Sequence, residues 1–264
     1  MKKFCSLLLT IVLLMSLALV AGCSKEEPAP QPSQPEKTTF EGKTLNLYVA
    51  AGMKKPMDQI IKTFEEETKA KVAVNYGPSG GLYAQIEQGQ PCDLYYSADW
   101  IYIDKTEQAG KLEEGKKFLK DNIVLVVSKT GKSKVAKMED LGNEGVSAVI
   151  ADPQAPAGAY AKKAIESLGL WDKVSPNIKA MPTTVNQVAI MVKEDQVDAG
   201  LIYSSVANGN ELDTVQVIDE KYTGDIIFGF GVIKGGNTEM AKAFAEHSVK
   251  NVSVFEQYGW KAYE

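Results

Sequence analysis

The chain has 264 residues, 44% of them hydrophobic, and carries 29 basic and 34 acidic side chains for a formal net charge of −5. Every basic residue is Lys, so there is no guanidinium fork for bidentate grip on phosphate or carboxylate, and no basic block of the kind nucleic-acid binding needs for counterion release. The one His, His247, excludes His-based metal clusters and argues against a Ser-His-Asp hydrolase.

At the N-terminus, Lys2 and Lys3 precede an almost unbroken apolar run from Leu7 to Ala21. The run is short for a membrane span and fits a signal-peptide core. It ends in Leu19-Val20-Ala21-Gly22-Cys23, which resembles a bacterial lipobox. The resemblance implies a lipoprotein signal peptide over 1–22 and a mature chain starting at Cys23, whose sulfur takes a diacylglycerol. Residues 23–43 then read as a lipidated flexible tether. Four of the chain's 11 prolines (Pro28, Pro30, Pro32 and Pro35) fall there with no apolar period, and such a segment cannot bury enough surface to order itself. Lipid, tether and body describe an extracytoplasmic protein anchored to the cell membrane. Cys92 is left alone, with neither a disulfide framework nor a metal site, and reads as a small packed residue.

The body alternates strands and helices. Leu45, Leu47 and Val49 mark a strand; Pro56 sits where a helix can begin, followed by Met57, Ile60, Ile61 and Phe64 at i, i+3, i+4, i+7. Lys71–Tyr76 alternates again, completing a βαβ unit that favours a parallel sheet. A helix carrying Leu82 and Ile86 follows, then a short strand at Leu94–Ser97 and a continuous apolar strand at Ile123–Val127, buried on both faces if parallel. A second series predicts strands at Val146–Ala151, Ala199–Tyr203 and Val215–Ile218, with helices over Ala157–Leu168 and Val185–Val192. Ile226–Ile233 is a strand expected to bend at Gly229 and Gly231, and C-terminal helices run over Thr238–Lys250 and around Phe255-Tyr258-Trp260. Two such series suggest two α/β lobes, with ligands bound beyond the carboxyl ends of the strands.

The loops at those ends are alike: Ala50-Ala51-Gly52-Met53, Gly77-Pro78-Ser79-Gly80-Gly81, Asp152 to Gly158, and Pro182-Thr183-Thr184-Val185. Each is small, hydroxylic or Pro-containing and delivers free N–H groups at a helix N-terminus, where the dipole favours an anion. Any one alone is an ordinary N-cap; four at equivalent positions are harder to explain that way.

From about Leu45 to Trp260 the chain resembles the molybdate-binding proteins of ABC transporters, within the type II periplasmic binding-protein class. The likeness is carried by Leu47-Tyr48-Val49-Ala50-Ala51, Gly77-Pro78-Ser79-Gly80-Gly81-Leu82, Pro91-Cys92-Asp93-Leu94, Ser97-Ala98-Asp99, Pro156-Ala157-Gly158-Ala159-Tyr160-Ala161, Gly169-Leu170-Trp171, Gly200-Leu201-Ile202-Tyr203-Ser204 and Phe255-Glu256-Gln257-Tyr258-Gly259-Trp260. It implies an α/β, two-lobed fold with a ligand cleft between the lobes: lobe 1 over 44–123 with a return segment at 229–264, lobe 2 over 124–228, and two crossing strands as the hinge. The family's ligand positions map onto Ser79, Ala157, Val185 and Tyr203. A fifth falls on Gly52, where the family has Ser, so one hydroxyl is missing although the backbone N–H remains; Lys54 and Lys55 follow where uncharged residues are expected.

The implied function is that of a substrate-binding lipoprotein, not an enzyme, which captures molybdate or tungstate and hands it to an ABC transporter permease. No cofactor, resident metal or nucleic acid is implied, metal entering only within the oxyanion, and a monomer is expected. The chemistry agrees: molybdate, tungstate and sulfate only accept hydrogen bonds near neutral pH, whereas hydrogen phosphate also needs an acceptor, and no mapped position is Asp or Glu. Fixed dipoles can hold the charge without a cation. The alternative is a receptor of the same fold for a sulfate-like anion or a small organic ligand, for which Tyr76, Tyr83, Tyr95, Tyr96, Trp100 and Tyr102 offer stacking surfaces, though such residues are more often packing. An acid/base enzyme built on Asp93 and Asp99 lacks a nucleophile or metal cluster. Lys116–Lys120 and Lys132–Lys137 read as solvated charges or a permease-facing surface. No Gly-x-x-x-x-Gly-Lys-Ser/Thr loop occurs.

Overall fold

In the computed structural model residues 39–264 are described. The signal peptide, Cys23 and most of the tether lie outside the described residues.

The first strand, β1 (Thr44–Ala50), is apolar and largely buried. It passes through a 3-10 turn at Ala51–Met53 into α1 (Lys54–Thr68), which buries Met57, Ile60, Ile61 and Phe64 on one face. Pro56 is the third residue of α1 rather than its start, a position whose N–H would have no intrahelical partner in any case. β2 (Lys71–Gly77) pairs parallel with β1, α2 (Ser79–Glu87) crosses over, and β3 (Leu94–Ser97) pairs parallel with β1 on its other side. α3 (Trp100–Gln108) is N-capped by Asp99, whose Oδ1 accepts from Ile101 N at 3.0 Å.

β4 (Leu112–Asp121) is a strand that hydrophobic periodicity misses, since its Glu and Lys side chains are mostly exposed. Lys116, Lys117 and Lys120 therefore lie on a strand. One residue on, β5 (Ile123–Val127) belongs to a second sheet. It is fully buried, as its composition predicts, yet it runs antiparallel to both its neighbours. β6 is only Ala148–Val149. Then come α4 (Pro156–Ser167), α5 (Trp171–Val174), β7 (Ile178–Ala180), α6 (Val185–Lys193), β8 (Ala199–Tyr203), α7 (Ser204–Asn210) and β9 (Asp213–Val217). Both α4 and α7 pack on β5, which explains burial without a parallel arrangement.

The chain returns through α8 (Glu220–Thr223) to β10 (Ile226–Ile233), followed by α9 (Thr238–Lys250), α10 (Ser253–Glu256) and β11 (Lys261–Ala262). The second crossing thus contains a short helix. The return to the first sheet begins at Ile226, which pairs with Asp121 inside the segment expected for lobe 2. β10 is continuous. Its register against β4 shifts at Phe228/Gly229 and Val232/Ile233, and Gly229 and Gly231 are required by close approach: a Cβ at Gly229 would lie 2.6 Å from Trp100, and one at Gly231 would run into Leu112. The first sheet has the order β11-β4-β10-β3-β1-β2 and the second β7-β6-β8-β5-β9. Each sheet with its helices forms one lobe. Among the described residues no helix is long and apolar enough to cross a membrane.

Several polar residues prove structural. Asp93 is buried and its Oδ2 accepts from Asn46 N (2.6 Å) and Asn46 Nδ2 (3.1 Å), while Oδ1 accepts from Asn237 N (2.7 Å). Tyr95 and Tyr96 are fully enclosed. Cys92 is buried, and that burial pushes its thiol pKa well up. His247 sits on α9 with Nε2 2.8 Å from Thr63 Oγ1 and its ring edge-on to Phe64.

Candidate functional site

Four strand-to-helix junctions meet between the sheets. β1 ends at Ala50 and β2 at Gly77 in the first lobe; β6 leads to the start of α4, and β7 to the start of α6, in the second. Together with the end of β8 they enclose a cavity of about 20 Å³ lined by Ala50–Gly52, Gly77–Ser79, Ala98, Ala155–Ala157, Thr183–Val185 and Tyr203. Gly52, Ser79, Ala157, Val185 and Tyr203 are all brought to this one space. No charged side chain lines it.

The local sequence explains each junction. Pro78 caps α2 with extended backbone and leaves Ser79 as the first helical residue. Pro156, the first residue of α4, has the φ a helix start needs. Gly158 is obligatory, because a Cβ there would collide with the carbonyls of Ala151 and Asp152. α6 opens on a capping box in which Thr184 accepts from Gln187 N and the Gln187 side chain reaches back to Thr184 N. First-turn N–H groups have no intrahelical acceptors. Those of Ser79, Gly80, Ala157, Gly158, Val185 and Asn186 find no acceptor elsewhere among the described residues.

Two hydroxyls join them. Ser79 is 1% exposed; its Oγ accepts from Ala98 N at 3.0 Å, so its own proton is left to donate. Its carbonyl is held by Tyr95 Oη at 2.8 Å. Tyr203 reaches from the second lobe and donates to Ala98 O at a long 3.4 Å. Its ring packs edge-on against Phe228, centroids 5.1 Å apart. Burial holds the Tyr203 hydroxyl well above its ordinary pKa, so it stays a donor. Ala98 thus ties Ser79 and Tyr203 together through its N–H and its carbonyl, a role with no signal in an alanine of the sequence.

The position of Gly52 is closed by lobe 2: a Cβ there would lie 3.3 Å from Val185 Cγ1 and 3.4 Å from Val206 Cγ2. Lys54 and Lys55 do not line the cavity. Lys54 pairs with Asp58 at 2.8 Å, and Lys55 reaches Gly209 O across the lobes. Both border a separate crevice of about 240 Å³ on the far side of Gly52. It is the larger space and shares Gly52 with the cavity, but Ser79, Ala157, Val185 and Tyr203 line only the smaller one. Among the described residues no cluster of three or more His, Cys, Asp or Glu could hold a metal.

A family profile described as "Bacterial extracellular solute-binding protein" matches residues 45–261. YvgL of Bacillus subtilis (strain 168), provisionally named an ABC transporter substrate-binding lipoprotein, is 32% identical over 96% of this chain and 96% of its own length. The molybdate-binding protein ModA of Escherichia coli (strain K12) is 27% identical, with 83% of this chain and 89% of that protein covered. Among solved structures, the substrate binding domain of a provisionally assigned molybdenum ABC transporter from Clostridium difficile has a TM-score of 0.65 at 32% identity, covering 84% of this chain and 99% of that one.

Proposed function

The chain belongs to the bacterial extracellular solute-binding protein family, and from that premise we propose that it captures a tetrahedral oxyanion, molybdate or tungstate, between its two lobes. It is a substrate-binding protein of an ABC transporter and not an enzyme. One arrangement carries the proposal: neutral donors from both lobes, with no carboxylate or lysine among them, converge on a single cavity. Helix N-termini supply fixed positive potential, Ser79 adds its free hydroxyl proton, and Tyr203 adds its own by turning it from the long Ala98 O contact to the ion. A fully deprotonated dianion accepts at every oxygen and fits such a set. Hydrogen phosphate would leave its proton without a carboxylate to take it.

Delivery is to a membrane permease. The carrier is held at the outer face of the cell membrane by lipid on Cys23 and works as a monomer; its tether is shorter than the 23–43 segment expected from the sequence, since Phe40 is already buried against Phe64 in the first lobe with its N–H bonded to Thr68 O. The lipobox-like sequence supports this anchor, as does the lipoprotein name of the Bacillus subtilis relative.

The cavity supports a second reading. A space of about 20 Å³ is tight, roughly that of one water, and this favours sulfate, the smallest of these dianions. Calorimetric titration of the protein with molybdate, tungstate, sulfate and phosphate tests both. Molybdate and tungstate are expected to bind most tightly and phosphate weakly. Tighter sulfate binding would favour the second reading, and equal affinity for phosphate, or no binding at all, would defeat the donor-only site.

A further inference from the structure

Asn186 directly follows Val185 in the first turn of α6, in the second lobe, and is half-buried. Its Nδ2 donates to the carbonyl oxygen of Ala51, in the first lobe, at 2.7 Å. The same oxygen accepts Lys54 N–H, which closes the 3-10 turn. One carbonyl therefore serves the turn and the opposite lobe at once.

The other half of that peptide unit is the N–H of Gly52. A peptide is planar and trans, so its N–H points away from its C=O. Holding the Ala51 carbonyl therefore sets the direction of the Gly52 N–H. That N–H has no acceptor among the described residues, and Gly52 lines the cavity. With no side chain at position 52, this N–H is the one donor the position offers.

Other contacts between the lobes lack this property. Tyr203 reaches Ala98 O, Tyr102 reaches Gln154 O, and Asn208 reaches Tyr258 O. The N–H groups of those same peptide units, on Asp99, Ala155 and Gly259, are already bonded to Ser97 Oγ, Asp152 O and Glu256 O. Gripping those carbonyls aims nothing at the cavity.

We propose that Asn186 is a positioning residue for anion capture: as the lobes close it takes hold of the Ala51–Gly52 peptide and aims the Gly52 N–H at the bound ion. The donor at Gly52 is thereby completed by the lobe opposite to the one that carries it. This rests on the oxyanion reading of the cleft.

The test uses molybdate and tungstate as probes with wild type, Asn186→Ala and Asn186→Asp. Affinity is measured by calorimetry, ligand-free stability by thermal unfolding, and the Gly52 amide by NMR after ¹⁵N-glycine labelling. Asn186→Ala is expected to weaken binding about three- to tenfold, the size of one neutral hydrogen bond. Asn186→Asp is expected to weaken it further, since a carboxylate repels both the Ala51 carbonyl and the ion. The ion-induced shift of the Gly52 amide should shrink in both variants while ligand-free melting stays at the wild-type value. If wild type binds neither ion, the oxyanion reading falls and takes this role with it. If wild type binds but the variants match its affinity, or keep the full Gly52 shift, the role of Asn186 alone is overturned.

Discussion

Tyr203→Phe separates ion ligation from packing more cleanly than any other substitution in the cleft. It removes one oxygen from a ring that stays wedged against Phe228. Within the protein that oxygen makes one long hydrogen bond, 3.4 Å to Ala98 O, so ligand-free stability should fall by less than about 1 kcal/mol, or about 2–4 °C in melting temperature for a protein of this size. A hydrogen bond to a charged partner is worth about 1.5–3 kcal/mol, so losing one should weaken molybdate binding about ten- to hundredfold. Ser79→Ala makes the contrast. Its Oγ takes the Ala98 N–H at 3.0 Å in a fully buried setting, and removing it strands that N–H at a cost of about 1–3 kcal/mol. Ser79→Ala should therefore lose both stability and affinity, whereas Tyr203→Phe should lose affinity with only a small loss of stability. Calorimetry and thermal unfolding on the two variants give all four numbers. A Tyr203→Phe protein that binds molybdate as tightly as wild type would refute ligation by Tyr203.

Gly52→Ala should weaken ion binding with little effect on ligand-free stability, because its Cβ would press on Val185 and Val206 of the opposite lobe at 3.3 and 3.4 Å and resist closure; unchanged affinity would show that the lobes do not close this tightly. Asp121, at the first crossing, is buried among Ser204 Oγ, Ser205 Oγ and Asn122 N, and burial raises its pKa to about 6 from 3.8. The folded state therefore binds this proton more tightly than the unfolded one, so stability should rise as pH falls from above 6 towards 4, by on the order of 3 kcal/mol. In Asp121→Asn that gain should disappear from unfolding curves at pH 7.5 and pH 5, and an undiminished pH dependence would assign it elsewhere. Cys23→Ser should move the protein from the membrane fraction to the soluble one, and retention at the membrane would defeat lipidation at Cys23.

Alternation and helical spacing were enough to read β1, α1, β2 and α6, because their apolar faces point at one core and repeat at the period of the backbone. β4 escaped, since its exposed Glu and Lys residues leave no such period. So did the antiparallel setting of β5, because an apolar run is the same in either direction. The small residues and prolines before α2, α4 and α6 were legible as helix starts, and a resemblance to a known family picked out Gly52, Ser79, Ala157, Val185 and Tyr203. What local sequence could not contain was their convergence. Ser79 and Tyr203 are 124 positions apart, and they meet at Ala98 only because the chain crosses between two sheets at Asn122 and brings the end of β8 opposite the end of β3. Asn186 shows the same limit: half-exposed in a helix's first turn, it reads as solvent-facing until the lobes place Ala51 2.7 Å from its amide. Residue type and spacing determine which local elements form and where N–H groups are left free. Which of those groups share one cavity depends on contacts between residues distant in the chain, and those are set by the packing of the two sheets.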